Sequence, residues 1–310
     1  MKHNVKITAV ILIMFLVTQF IGLYVIDHYI NQGNELPFGL ETPEVEKASD
    51  YRNFFYAILF AFVIAIALLF LLTKIKAEII LKIWFFTVVT IALGITINSI
   101  LPARISYAAW IALAIALPLA FLKIFQRHFI IHNATELLIY PGISAIFVPI
   151  LNFWTVLILL ALISIYDIWA VWHSGIMQKM AKFQMNKLKV FSGFLVPYIS
   201  KKTRMKMKKA RKDKSKSKKK VKVNVALLGG GDVIFPIIAA GVVFKAQTIV
   251  MPMGLKVFTG GLGPAIFVIF GALLGLGSLL FLSEKKKFYP AMPFITAGIM
   301  VGLLVSWIVF

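Results

Sequence analysis

Apolar residues in this chain come in long unbroken runs, not in alternation. Nine runs stand out, at 5–26, 54–73, 79–97, 107–122, 131–151, 153–175, 225–244, 256–282 and 289–310. A helix needs about 20 mostly apolar residues to cross a bilayer, because each residue rises only about 1.5 Å. Continuous runs fit such helices, whereas the strands of a membrane barrel alternate apolar and polar positions. The first run is too long for the core of a signal peptide and lacks a small-residue cleavage site after it, so it reads as a span. The fifth is interrupted by Glu136, Pro141, Gly142 and Pro149. The pattern therefore predicts an all-α polytopic membrane protein of nine transmembrane helices. Six lie in an N-terminal part (1–175) and three in a C-terminal part (224–310).

The polar stretches between the runs orient the spans, because Lys and Arg gather on the cytosolic side. Lys2 and Lys6 place the N-terminus inside. The stretch 27–53 carries six acids and only Lys47 and Arg52 as bases, so it lies outside. Lys74, Lys76 and Lys82, then Lys123 and Arg127, return to the inner side. Ser283 and the three lysines after it do so again, which leaves the C-terminus outside. Lys245 and Lys256 are mild exceptions on the outer side.

Between the two parts lies 176–223. Within 177–223 there are 18 Lys or Arg against one acid, Asp213. The formal charge of the chain is +21, so the remainder holds only 15 basic against 11 acidic residues, or +4. A tract this basic and this poor in apolar residues is expected to be a disordered cytosolic loop beside anionic lipid headgroups. Its most basic stretch, 201–222, contains no interleaved aromatics on which bases could stack, which argues against a nucleic-acid partner.

Composition narrows the chemistry. A content of 60% hydrophobic residues and a mean hydropathy of +0.91 exclude a water-soluble enzyme with one buried core. The absence of cysteine excludes disulfides, thiolate nucleophiles, iron–sulfur clusters and cysteine zinc sites. Charged groups inside hydrocarbon are expensive and default to function. Two acids qualify. Asp167 lies eight residues before the end of the sixth run, and Asp232 seven residues into the seventh. At helical rise these counts put both carboxyls about 10–12 Å from the inner boundary. Two carboxyls facing each other in low dielectric cannot both ionise, so they share a proton. One can then take a proton from water while the other polarises an amide carbonyl, with neither metal nor cofactor.

The neighbours of each Asp have physical meaning. Gly229, Gly230 and Gly231 remove three side chains before Asp232 and permit close backbone approach. They do not continue as a phosphate-binding loop, and Asp232 would repel an anion. Tyr166 offers a hydroxyl beside Asp167. Pro290 and Pro293 bracket Ala291 and Met292 in a segment that reads either as extended chain beside a cavity or as a helix start with Pro in its first turn.

These three motifs together resemble the presenilin and signal peptide peptidase group of intramembrane aspartyl proteases, of the kind found in microbes. Tyr166-Asp167 matches its YD and Gly229-Gly230-Gly231-Asp232 its GxGD. Pro290-Ala291-Met292 resembles its PAL, with Met in place of the usual Leu, a volume-conserving change. The order of motifs, the span number and the long loop extend the likeness over the whole chain. The resemblance implies Asp167 and Asp232 as the catalytic pair and the PAL-like segment as part of the substrate site. It implies single transmembrane helices as substrates, cut within the membrane. The N-in, C-out topology is similar to that of presenilins. Some microbial relatives act without partner subunits. Homo-oligomerisation is left open.

Other constellations in the chain carry less chemistry. His128, His132 and Glu136 share one helical face and read as headgroup contact or polar packing, not as a metal site. Gly142-Ile143-Ser144-Ala145 has the look of an intramembrane serine site, but only His173 follows it as a base. Gly271 and Gly275 form a GxxxG in the eighth run and predict close helix packing, with span six among the neighbours. A proton-coupled transporter would also carry paired intramembrane acids, yet no inverted repeat is visible and the six-plus-three division is unequal. An inactive substrate-binding relative would not need both aspartates.

Overall fold

A computed structural model describes residues 5–43, 45, 47–74, 78–102, 104–105, 107–126, 128–173, 190–198, 224–246, 248–250, 256–283 and 289–310. Six helices come first: α1 (Val5–Ile26), α2 (Ala48–Lys74), α3 (Glu78–Ile100), α4 (Ala108–Phe125), α5 (Phe129–Phe147) and α6 (Phe153–Ile168). Strands β1 (Gly193–Tyr198) and β2 (Asn224–Gly229) follow, then α7 (Gly231–Lys245). A short pair of strands, β3 (Thr248–Val250) and β4 (Lys256–Thr259), leads to α8 (Leu262–Leu282) and α9 (Met292–Val309). Single π-helical turns extend α1 over Asp27–Asn31 and α6 over Trp169–His173.

Seven of the described helices are long and apolar enough to cross a membrane; α5 and α7 are not among them. The helix α7 has only 15 residues, and α5 carries His132, Asn133 and Glu136. The bundle is apolar outside as well as inside. Trp84, Trp110, Ile130, Leu274 and Ile308 are all more than half exposed, which suits hydrocarbon and not water.

The helix α1 runs through the middle, against α5, α7 and α8. On one side α5 packs on α3 and α4; on the other, α6 and α8 flank α7 and α9. The helix α2 stands at the rim against α3 and α6. The tightest interface joins α8 to α9. A Cβ at Gly271 would collide with the Gly298 carbonyl, and one at Gly275 with that of Phe294. The expected GxxxG packing is therefore present, but its partner is the Gly298/Gly302 stripe of α9 and not span six.

Several boundaries differ from the sequence expectation. Pro141 and Gly142 do not break α5. Gly142 lets α3 approach so closely that a Cβ would strike the Ala92 carbonyl, and Thr96 donates to the Leu138 carbonyl at 2.7 Å. The carbonyl that Pro141 leaves without a helical N–H is that of Leu137, one residue earlier. The helix ends at Phe147, four residues before the expected 151. The eighth run begins as strand β4, so α8 starts at Leu262 and not at 256. The seventh run begins as β2, and its helix starts at Gly231. Part of the segment expected as disordered loop is also a strand. Gly193–Tyr198 pairs antiparallel with β2, from Gly193 opposite Gly229 to Tyr198 opposite Asn224. The lysine-rich tract at 201–222 lies outside the described residues.

Candidate active site

Asp167 sits in the last turn of α6. That helix is started firmly: Asn152 Oδ1 accepts from Thr155 N–H at 2.8 Å, and Asn152 N–H donates to Thr155 Oγ1 at 2.9 Å. This reciprocal cap fixes the helix entry in a stretch with no charged residue. Asp167 lies on the buried face with Leu160 and Ser164 and is 4% exposed. Ser164 Oγ meets Thr296 Oγ1 of α9 at 2.8 Å, which registers the two helices one turn from Asp167. The carboxyl then receives the Met292 N–H on Oδ2 at 3.1 Å, with a second backbone bond from Ala291.

The segment Pro290-Ala291-Met292 therefore acts on Asp167 through its backbone. Ala291 is helical in conformation and forms the N-cap of α9, with Pro293 in the first turn. This is the helix-start reading of the prolines and not the extended one. The first N–H groups of a helix have no partner within it and suit an anionic acceptor.

Asp232 is the second residue of α7, directly after the strand β2. The count of helical rise that placed it deep in a span therefore does not apply, because 224–229 are extended. Nor is Asp167 eight residues from the end of a regular helix, since α6 gives way to a π turn at Trp169. The helix α6 packs on α7, and the Asp232 carboxyl lies within electrostatic range of Asp167. Asp232 is half-buried and accepts a backbone hydrogen bond from Gly229.

Two of the three glycines answer specific needs. A Cβ on Gly229 would stand 3.1 Å from Asp232 Oδ2, crowding the carboxyl. Gly230 N–H donates to the Ser192 carbonyl at 3.3 Å, and a Cβ there would lie 2.9 Å from Ser192 Oγ and 3.0 Å from the Tyr140 ring. At Gly231 a Cβ would meet only ordinary contacts with Phe235. Tyr166 points elsewhere: it is half-buried, edge-on to Phe62 of α2 at 5.7 Å and near Trp169.

Other polar residues nearby were not singled out as site residues. Gln19 of α1 donates from Nε2 to the Val233 carbonyl at 3.1 Å, while Pro236 has no N–H for the Asp232 carbonyl. The lone amide in an otherwise apolar run was the available signal. His132 and Glu136 lie inside the protein against Lys123 and β1 as polar packing, while His128 is exposed. Among the described residues no group of three metal-ligating side chains comes together. Ser144 is buried and donates to the Tyr140 carbonyl at 2.8 Å, a local helix bond and not a nucleophile's arrangement.

Comparison with known proteins supplies the family. No curated protein matches. Two solved structures of a presenilin family intramembrane aspartate protease, in space groups C222 and P2, share the fold. The first has a TM-score of 0.59 at 19% identity, covering 98% of this chain and 99% of that one. The second has a TM-score of 0.59 at 18% identity, with 97% of each chain covered. The family described as "Signal-peptide peptidase, presenilin aspartyl protease" matches residues 12–310. That match spans nearly the whole sequence and includes both aspartates, and the chain is an integral membrane member of the signal-peptide peptidase and presenilin family of aspartyl proteases.

Proposed function

We propose that the protein hydrolyses peptide bonds within the transmembrane helices of single-span substrates, with Asp167 and Asp232 as the catalytic pair. The observation that supports this is the packing of α6 on α7 with Asp232 in electrostatic range of Asp167, in a member of an aspartyl protease family. One carboxylate takes a proton from a water molecule, and the resulting hydroxide oxygen bonds to the scissile carbonyl carbon. The other, protonated, Asp donates to the carbonyl oxygen as the tetrahedral centre forms. Collapse of the resulting gem-diol breaks the C–N bond: the proton first taken from water goes to the amine nitrogen, and the Asp that protonated the carbonyl oxygen takes a hydroxyl proton back, which leaves a carboxylic acid, an amine and the original pair. The Met292 N–H fixes one oxygen of Asp167 and so orients the carboxyl for this exchange. No cofactor and no metal enter the scheme.

A substrate helix must open before water can reach its amides, because helical backbone is already hydrogen-bonded. The edge of β2 facing away from β1 offers backbone on which an unwound segment adds as a strand. Pro290, Ala291 and Met292 would border it on the far side of Asp167. The nine helices are read as nine spans, with α5 and α7 crossing inside the bundle. The N-terminus and the 176–223 loop are cytosolic, the loop lying near anionic headgroups, and the C-terminus is outside. The chain divides functionally into 1–175, which brings Asp167, and 224–310, which brings Asp232 and the Pro290 segment.

The test uses detergent-purified protein and one single-span substrate. Asp167→Asn and Asp232→Asn should each lower cleavage by at least about 10³-fold, since an acid–base pair acts as a unit. The parent's kcat should be bell-shaped in pH, falling when the base is protonated and when the acid ionises. Equal cleavage by the parent and both variants would overturn the assignment.

A further inference from the structure

Three side chains of α5 close on the backbone of β1, and one of them is paired with a lysine of α4. Glu136 Oε1 accepts from Gly193 N–H at 3.2 Å and is paired with Lys123 of α4. His132 Nε2 lies 2.8 Å from the Gly193 carbonyl oxygen. Asn133 grips Leu195 in both directions, donating to its carbonyl at 2.8 Å and accepting its N–H at 2.9 Å. Backbone groups of a strand point alternately to its two sides. Phe194 and Val196 therefore serve the pairing with β2, while Gly193 and Leu195 are taken up by α5. The side chains of α5 stand where a third strand would otherwise lie.

The other end of this arrangement reaches the site. Ser192, next to Gly193, accepts the Gly230 N–H, and Gly230 is two residues from Asp232. Tyr140, one turn along α5 from Glu136, is fully buried. Its ring is edge-on to Phe194 at 5.7 Å, and its hydroxyl stands 3.1 Å from where a Gly230 Cβ would be. The contacts thus run without a gap from Lys123 and Glu136 through Gly193 and Ser192 to Gly230 and Asp232.

Both members of the Lys123–Glu136 pair are almost wholly buried. A buried ion pair is weak evidence of stability, because desolvating two charges offsets most of their attraction, and apolar replacements are often as stable. Its use here is positional. We propose that Glu136 is a positioning residue for Asp232. It accepts the Gly193 N–H, sets the register of β1 and hence of β2, and so holds the strand-to-helix junction that aims the carboxyl. Lys123 supplies the counter-charge that keeps Glu136 an acceptor in the interior.

This rests on reading Asp167 and Asp232 as the reacting pair, and the experiment separates the two claims. Two double variants are compared, Lys123→Met with Glu136→Gln and Lys123→Met with Glu136→Leu. Both are uncharged and of similar volume, and only the first keeps an acceptor for Gly193. The Leu variant leaves the buried Gly193 N–H unpaired and should unfold only a few degrees below the Gln variant, with both folded at the assay temperature. Its kcat should nevertheless be about ten- to a hundredfold lower, with KM within about threefold, because small misplacements of a reacting group are costly. A merely structural role would make kcat follow stability. A second readout does not depend on activity. The chain has no cysteine, so Val196→Cys with Ala226→Cys, partners across β1 and β2, gives a disulfide whose yield reports the pairing. That yield should fall in the Leu background. Equal kcat and equal yield in the two backgrounds overturn the proposal. A parent that cleaves nothing overturns the dyad reading instead, and the disulfide yields then decide alone whether Glu136 holds the strands.

Discussion

Around Asp167 the backbone is regular helix for four turns before the carboxyl, whereas around Asp232 it changes from strand to helix within three residues. Asp167 is oriented by one capped helix and by the N-terminus of another. Asp232 depends on an antiparallel strand pair, two glycines, and a polar grip from α5. The two halves of one site are thus secured by different physics. A helix transmits position through its own hydrogen bonds and survives the loss of a single lateral contact. A junction between strand and helix has no such continuity, and each neighbouring contact carries a larger share of the geometry. Changes behind Asp232 should therefore damage turnover more than comparable changes behind Asp167.

The sharpest way to break this contrast is at Gly230. Gly230→Val puts branched carbon into the space held by Ser192 and the Tyr140 ring. Turnover should fall by about a hundredfold, with a stability loss of about 1–3 kcal/mol, measured by cleavage assay and thermal unfolding. A smaller loss is expected from Gly193→Ala. Gly193 has φ +146°, a conformation L residues rarely adopt, and a Cβ would strike the Leu228 carbonyl. The strain should cost about 1–3 kcal/mol and reduce kcat by about tenfold as the strands shift. On the other side, Ser164→Ala removes the hydroxyl contact with Thr296. Hydrogen bonds between membrane helices average only about 0.6 kcal/mol, so cleavage should stay within about threefold of the parent. If Ser164→Ala proved as damaging as Gly193→Ala, the contrast between the two halves would be lost.

The same contrast decides what could be read from residues alone. The run at 5–26 matches α1 to the residue, and 153 marks the true start of α6, because a lipid-facing helix is written in continuous apolar character. Asp167 and Asp232 stand out as aspartates inside apolar runs, for the same reason. The strand β2 was not visible. Asn224–Gly229 is apolar and of ambiguous period, and only its pairing with Gly193–Tyr198, across intervening residues rich in lysine, makes it extended. The extended stretch removed the arithmetic that set both carboxyls at one depth, although the packing of α6 on α7 still brings them together. The role of Met292 was also hidden, since what reaches Asp167 is a backbone N–H that any residue but proline could provide.

That N–H comes from a point 125 residues further along the chain than the carboxyl it holds. During synthesis Asp167 enters the bundle long before its donor exists. Met292 opens the final helix, which is tied in turn to α8 by the glycine stripe. A growing polypeptide thus lacks this donor to Asp167 until α9 has been made. On the proposed function, a chain cut before α9 lacks the donor to Asp167 and should cleave nothing.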